Sequence, residues 1–311
     1  MTPDLSVVMP LHGGEQYLRA TLASLAAERP EGVRILAYDS SPDTAANAAV
    51  VADFAGDLDI AYVAVPTLKP WQAKVNRGFD EAGTDHVAIL HQDDLWLPGH
   101  LAAVRSAMAA HPAAGLSIGP SRFIDSTGGA AGMWHLPFPA GLVEGRDFFA
   151  KAIVQNTIAV PSAVYRRDAW LAAGGMDEAL WYTPDWDIYL HLARLGAVVV
   201  RPQATTAFRL HGGSLTVTGS ADAADFRRQL EIVLHRHAAL WQLDPGSPLA
   251  RRAQLSLDLN CAMAGAAGGK FAGLLPALWR MARLGPAGLG SFLDETRLAD
   301  RVMARLPLLL R

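Results

Sequence analysis

The chain has 311 residues, 51% of them hydrophobic, and a formal net charge of −3 at pH 7. That length and apolar content suit one large domain or a domain with an appendage and exclude a disordered chain, while the weak acidic balance argues against a general nucleic-acid binder. A single cysteine, Cys261, leaves no internal disulfide framework or cysteine zinc site and suits a reducing, cytoplasmic compartment. The start, Met1-Thr2-Pro3-Asp4, lacks a basic segment followed by a long apolar run, so no signal peptide is expected. No apolar stretch reaches the roughly 18 residues of a membrane span.

The first half alternates strand and helix patterns. Leu5 to Met9 reads as a strand ending at Pro10. Glu15 to Glu28 places Tyr17, Leu18, Leu22 and Leu25 on one helical face. Val33 to Tyr38 is a second strand, closed by the turn cluster Asp39-Ser40-Ser41-Pro42-Asp43. A helix over Thr44 to Phe54, a strand over Ile60 to Val65 and a helix over Gln72 to Ala82 follow. His86 to Leu90 is the fourth strand, and Gly99 to Ala110 the next helix. This β-α-β-α order predicts a mostly parallel sheet with helices on both faces.

The second half is less regular. Gly115 to Gly119, Ala163 to Arg166 and Ala197 to Val200 read as strands, and Asp185 to Leu195 as a helix after Pro184. The Gly- and Pro-rich stretch from Thr127 to Gly145 reads as a long loop. Beyond about Gly219 only helices are expected, over Asp222 to Trp241, Ala250 to Ala264 and Leu274 to Leu284. The expected division is an α/β domain over residues 1–218 and an α-helical region over 219–311.

Four places hold polar groups that a fold alone does not require. The most informative is Ala88-Ile89-Leu90-His91-Gln92-Asp93-Asp94, an apolar strand that stops at two adjacent carboxylates. Open α/β sheets bind ligands at the carboxyl ends of their strands. Two neighbouring carboxylates repel unless a cation or a ligand's donors neutralise them, and hard oxygen ligands suit Mg2+ or Mn2+. A solvated strand-end turn is the plain alternative. The second place is Pro10-Leu11-His12-Gly13-Gly14, where the glycines let backbone approach a ligand; it is not the G-x-G-x-x-G dinucleotide fingerprint. The third is Asp39, which either meets a base or ribose hydroxyl or caps its own turn with Ser40 and Ser41. The fourth is Asp185-Trp186-Asp187 after Tyr182-Thr183-Pro184, at a helix start that favours a carboxylate.

Over residues 4 to 215 these segments resemble the inverting, nucleotide-sugar-dependent glycosyltransferases of family 2, which have the GT-A fold. Leu5-Ser6-Val7-Val8-Met9-Pro10 resembles that family's first strand, and Tyr38-Asp39-Ser40-Ser41-Pro42-Asp43 its V-D-D-G-S-T-D turn. Asn76-Arg77-Gly78 resembles its N-x-G, and His91-Gln92-Asp93-Asp94 falls on its D-x-D motif for metal and diphosphate. Arg166-Arg167 with Gly174-Gly175-Met176-Asp177-Glu178 resembles the R-R and G-G-F-D-E segment. Pro184-Asp185-Trp186-Asp187 falls on the E-D motif of the catalytic base, and Phe208-Arg209-Leu210-His211 on Y-R-x-H. Three departures stand out: His91 replaces the first Asp of D-x-D, Val75 replaces an Arg, and Pro184 replaces the Glu of E-D.

The resemblance implies sugar transfer with inversion from a UDP- or dTDP-sugar to a glycan or lipid-linked acceptor, in cell-surface polysaccharide or glycolipid assembly. Asp185 would be the base. Asp94 with His211 would hold Mn2+ or Mg2+, and Pro10, His12, Asp39, Asn76 and Asp93 would line the donor. Trp181, Tyr182, Trp186 and Asp187 would face the acceptor, and Lys69 and Lys74 would add positive charge near phosphate. Two other readings stand beside it: a catalytically inactive partner subunit that binds nucleotide or glycan, and a sugar nucleotidyltransferase, whose basic Gly-rich loop is missing here. From Lys270 onward seven basic residues face three acidic ones, a net of +4, interleaved with Leu274, Leu275, Leu278, Trp279 and Met281 and followed by the apolar end Leu306 to Leu310. Such a tail suits the anionic inner face of a membrane, packs on the catalytic domain, or joins a second copy in a homo-oligomer.

Overall fold

The computed structural model describes residues 4–214 and 222–309. The expected boundary between 218 and 219, and Leu310 in the apolar end, lie outside the described residues. Strands β1 (Leu5–Leu11), β2 (Val33–Asp39), β3 (Asp59–Ala64) and β4 (His86–Ile89) form the parallel half of an eight-stranded sheet, with β1 paired to both β2 and β4. Every residue of β1 is buried, as a strand covered on both faces requires. Its alternation sorts the layers. Leu5, Val7, Met9 and Leu11 meet Leu18, Leu22 and Leu25 of α1 (Glu15–Ala27), Val51 of α2 (Thr44–Ala52) and Leu101 and Val104 of α4 (His100–Ala110). Val8 faces the other way, toward Val75 and Phe79 of α3 (Trp71–Glu81).

The sheet continues as β4-β10-β6-β11-β9, with β6 (Leu116–Ile118), β9 (Gly141–Val143), β10 (Val164–Arg166) and β11 (Val198–Val200). β10 runs antiparallel to both β4 and β6, and β9 antiparallel to β11, so the parallel expectation holds for the first four strands and for β6 beside β11. A second sheet, in the order β5-β12-β7-β8, joins β5 (Leu95–Trp96), β7 (Ser121–Ile124), β8 (Ala130–Trp134) and β12 (Thr206–Arg209). The stretch from Thr127 to Gly145 is therefore not one loop: β8 pairs with β7, and β9 closes an edge of the large sheet. Helices α5 (Gly145–Ala152), α6 (Arg167–Ala173) and α7 (Pro184–Leu195) complete the α/β part.

The helical region comprises α8 (Ala223–Leu240), α9 (Pro248–Ala267), α10 (Leu274–Ala282), α11 (Gly285–Thr296) and α12 (Leu298–Leu309). It shares the core of the sheet. Phe226, Leu230, Leu257, Ala277 and Phe292 belong to one continuous buried cluster with Val8, Phe79, Trp170 and Tyr189. No described helix is long and apolar enough to cross a membrane.

Candidate active site

A cleft of about 810 Å3 opens at the carboxyl ends of β1 and β4 and runs to the start of α7. Its size and its mixed polar and aromatic lining fit a small-molecule site. Pro10, His12, Lys74, His91, Asp93, Asp94 and His211 line it, and so do Asn156, Trp181, Tyr182, Asp185 and Trp186.

The carboxylate pair sits in a tight turn after β4. Thr21 of α1 donates its hydroxyl to the carbonyls of Gln92 (2.7 Å) and Asp94 (2.9 Å), which fixes the turn. β12 pairs with β5 and so brings Arg209 alongside: its N–H donates to Asp94 Oδ1 at 3.0 Å, and its Nε to the Asp93 carbonyl at 2.8 Å. His211 follows, with Nε2 2.8 Å from Asp93 Oδ2. Burial pushes the Asp93 carboxyl up, but the His211 hydrogen bond and the charges of His91 and His211 outweigh it and hold it below the usual range. Asp94 is only 1% exposed, and burial, then the Asp93 charge, push its carboxyl well above that range. Its Oδ2 has no hydrogen-bond partner.

On the same wall the His12 ring nitrogen Nδ1 lies 3.0 Å from the Ser40 carbonyl, and the His12 N–H donates to Gln92 Oε1 at 2.9 Å. Gly14 starts α1 with φ +73°, and a Cβ there would fall 2.1 Å from Gln92 Nε2, so only glycine lets the β1 loop lie this close. Lys74 is buried, donates Nζ to the Leu11 carbonyl at 2.6 Å, and is pushed by burial down to about 8. It lines the cleft. Lys69 also lines the cleft.

Pro184 occupies the first turn of α7, where its missing N–H costs nothing. Asp185 follows, 9% exposed, and accepts from Asn156 Nδ2 at 2.8 Å. Burial pushes it up to about 6, while Asn156 and the N–H groups of Asp185 and Trp186 pull the other way. Trp181 and Tyr182 are half-buried and offer ring surface to the cleft; Trp186 is buried, with Nε1 on the Ala152 carbonyl at 2.7 Å.

Three expected residues lie elsewhere. Asp39 is fully buried and receives Ser41 N, Ser41 Oγ, Asn47 Nδ2 and Tyr62 Oη, so its carboxylate organises its own turn instead of facing the cleft. Asn76 uses both ends of its amide on the Met176 backbone, at 2.9 Å each, and lines a separate cavity of about 700 Å3 beside Arg77 and Glu81. Gly175, with φ +72°, lets the chain pass there: a Cβ would sit 2.9 Å from Asn76 Oδ1. Asp187 turns away from the cleft, its Oδ1 2.8 Å from His237 Nε2 and its Oδ2 2.8 Å from Arg236 Nη1. Asn156 and the α8 side chains were not anticipated. Asn156 lies in an irregular stretch without a periodic signal, and a charged helix face reads as solvated.

Two places have cation-like donors. Among the described residues, Asp187, His191 and His237 have ligand atoms all within 4.8 Å of one another. There, however, Arg236 and His237 already occupy both carboxylate oxygens of Asp187. The cleft holds a second candidate donor set. It offers oxygen and imidazole donors, the paired carboxylates Asp93 and Asp94, and the orphaned Asp94 Oδ2.

The family model described as glycosyl transferase family 2 matches residues 6–170. Among curated proteins no sequence match was found. Among solved structures, S. aureus TarS 1–349 in complex with UDP has a TM-score of 0.56 at 14% identity, covering 96% of this chain and 90% of that one. The mannosyltransferase PcManGT from Pyrobaculum calidifontis, in complex with GDP-Man and Mn2+, has a TM-score of 0.58 at 18% identity, covering 98% and 87%. At such identities the likeness is one of fold.

Proposed function

From the premise that the chain belongs to glycosyl transferase family 2, we propose that its cleft transfers a sugar from a nucleoside-diphosphate donor to an acceptor hydroxyl, with inversion. The observation that carries this reading is one cleft lined both by a buried carboxyl that burial pushes up to about 6 and by a carboxylate pair, an imidazole and a buried lysine. Asp185 takes the proton from the acceptor hydroxyl as that oxygen bonds to the anomeric carbon. The bond to the diphosphate breaks on the opposite face. Trp181 and Tyr182 supply flat surfaces against the acceptor, and Lys74 and His12 stand at the donor end. Asp93, Asp94 and His211 would hold a divalent cation, Mn2+ or Mg2+, which when bound neutralises the leaving diphosphate. The acceptor is a glycan or a lipid-linked glycan of cell-surface assembly, and the donor is found in the cytoplasm.

Incubation with UDP-, dTDP- and GDP-sugars and Mn2+ tests the reading. Release of the nucleoside diphosphate on addition of acceptor supports it. Tight binding with no release under any condition assigns an inactive partner subunit, and pyrophosphate release from a nucleoside triphosphate with a sugar 1-phosphate assigns a nucleotidyltransferase. For the cation, Asp94→Asn keeps the Oδ1 acceptor for Arg209 and removes the carboxylate oxygen that would meet the ion. Thermal shifts with nucleoside diphosphate then lose their dependence on Mn2+. Equal nucleotide affinity for the unsubstituted protein in EDTA and in Mn2+ removes the cation from the reading.

A further inference from the structure

The turn before α10 and α10 itself present an apolar face to solvent. Phe271, Leu275, Leu278 and Trp279 are 64%, 77%, 45% and 60% exposed, while Ala277 is the one α10 residue fully buried. Leu275, Leu278 and Trp279 share one face of α10, with Phe271 in the turn before it, while Leu274, Ala277 and Met281 pack on the core, so the helix is apolar on two faces. Scattered exposed apolar residues are ordinary, but a clustered stripe of this kind marks a contact surface.

The stretch of chain that carries the stripe has charge of one sign. Between Leu259 and Leu293 there is no Asp or Glu, while Lys270, Arg280 and Arg283 are basic. Arg280 is engaged by Asp258 at 2.7 Å. Among the described residues Lys270 and Arg283 form no ion pair, and both are exposed. The Arg283 guanidinium lies over the Trp279 ring, 4.5 Å from its centroid. A Trp and Leu stripe with the unpaired cations Lys270 and Arg283 beside it complements an apolar layer under anionic headgroups. A second copy would place like charges against each other. The described helices do not span a bilayer, so contact is in the plane of the surface.

We infer that α10 and the Phe271 turn form a docking face for an anionic phospholipid surface. The inference is independent of how the cleft is read. Co-sedimentation of the full chain with vesicles tests it, using phosphatidylcholine alone and an equal mixture with phosphatidylglycerol. Binding to the mixed vesicles and not to the neutral ones is expected, weakening as salt rises. Lys270→Gln and Arg283→Gln each lower partitioning about fivefold. Leu275→Glu with Trp279→Glu abolishes it while leaving the melting temperature and nucleotide binding unchanged, since both side chains are exposed. Equal binding to both vesicle types, or to neither, overturns the inference. So does a concentration-dependent dimer that the Leu275→Glu, Trp279→Glu variant dissolves, which gives the face to a second copy.

Discussion

Asp185→Asn lowers kcat by roughly 10²–10⁴, the usual worth of a positioned base, and at the same time makes the protein more stable above pH 6. Both effects come from one cause. The carboxyl is buried, and burial pushes it up to about 6. In the unfolded chain it titrates near the ordinary value of 3.8. Between those values the folded state holds the proton that the unfolded state has released, so stability falls as pH rises through this window and is level above it. Ionising the buried group costs on the order of 3 kcal/mol. The amide that replaces the carboxyl carries no such cost, and its carbonyl oxygen can still accept from Asn156 Nδ2, which reaches Asp185 at 2.8 Å. Urea unfolding at pH 7.5 should therefore show the variant more stable by ~1–3 kcal/mol, and at pH 4 the difference should vanish. For the unsubstituted enzyme, kcat rises with pH up to about 6 and then levels, because the base acts only when deprotonated. Full transfer activity in the Asp185→Asn variant would remove Asp185 from the role of base.

The parts of the molecule that could be read from the sequence are those fixed by local pattern. The elements from β1 to α4 match expectation within one or two residues, β5 aside, because each is a run of one period closed by a Gly, Pro or Asp turn. The second sheet was not legible. β5 has two residues, β12 four, and each exists only because it pairs with chain more than a hundred residues away or across a crossover. Yet this sheet sets Arg209 on Asp94 and His211 against Asp93. The motifs name segments, and the structure shows what each side chain of those segments touches. Asp39 and Asn76 sit where the family pattern puts them, and both are consumed by protein partners: Asp39 by its own turn, Asn76 by Met176. Asp187 is expected from the sequence to face the acceptor with its neighbours, but two residues along a helix from Asp185 is about 200° of rotation, which points it into the interior.

That rotation makes Asp187 an anchor between the α/β part and α8, and its loss should be strongly destabilising. Its buried carboxylate accepts from Arg236 and from the fully buried His237, each at 2.8 Å. Arg236 also reaches Asp177 at 2.7 Å, so one guanidinium ties α7 to the turn before it. Further along α8, Gln229 takes the Tyr182 N–H and Asp225 takes Trp181 Nε1, so the whole segment from 177 to 187 leans on this helix. Asp187→Ala strands Arg236 beside an empty site and His237 in the core. Arg236 is 32% exposed and keeps Asp177, so the cost falls below the about 3–5 kcal/mol of breaking a fully buried pair from one side, and urea unfolding measures it. Arg236→Lys keeps the charge but not the fork, and a compact ammonium cannot bridge both carboxylates. This variant should stay folded and lose kcat as Asp185 and Trp181 loosen. Nucleotide affinity at the His12 and Lys74 end should be unchanged. An Asp187→Ala stability within about 0.5 kcal/mol of the unsubstituted chain, the scatter of ordinary surface changes, would show that the network carries no load. EDTA separates the remaining alternative: an ion pair is indifferent to it, whereas a cation on Asp187, His191 and His237 would be stripped, and the nucleotide-free protein would melt earlier.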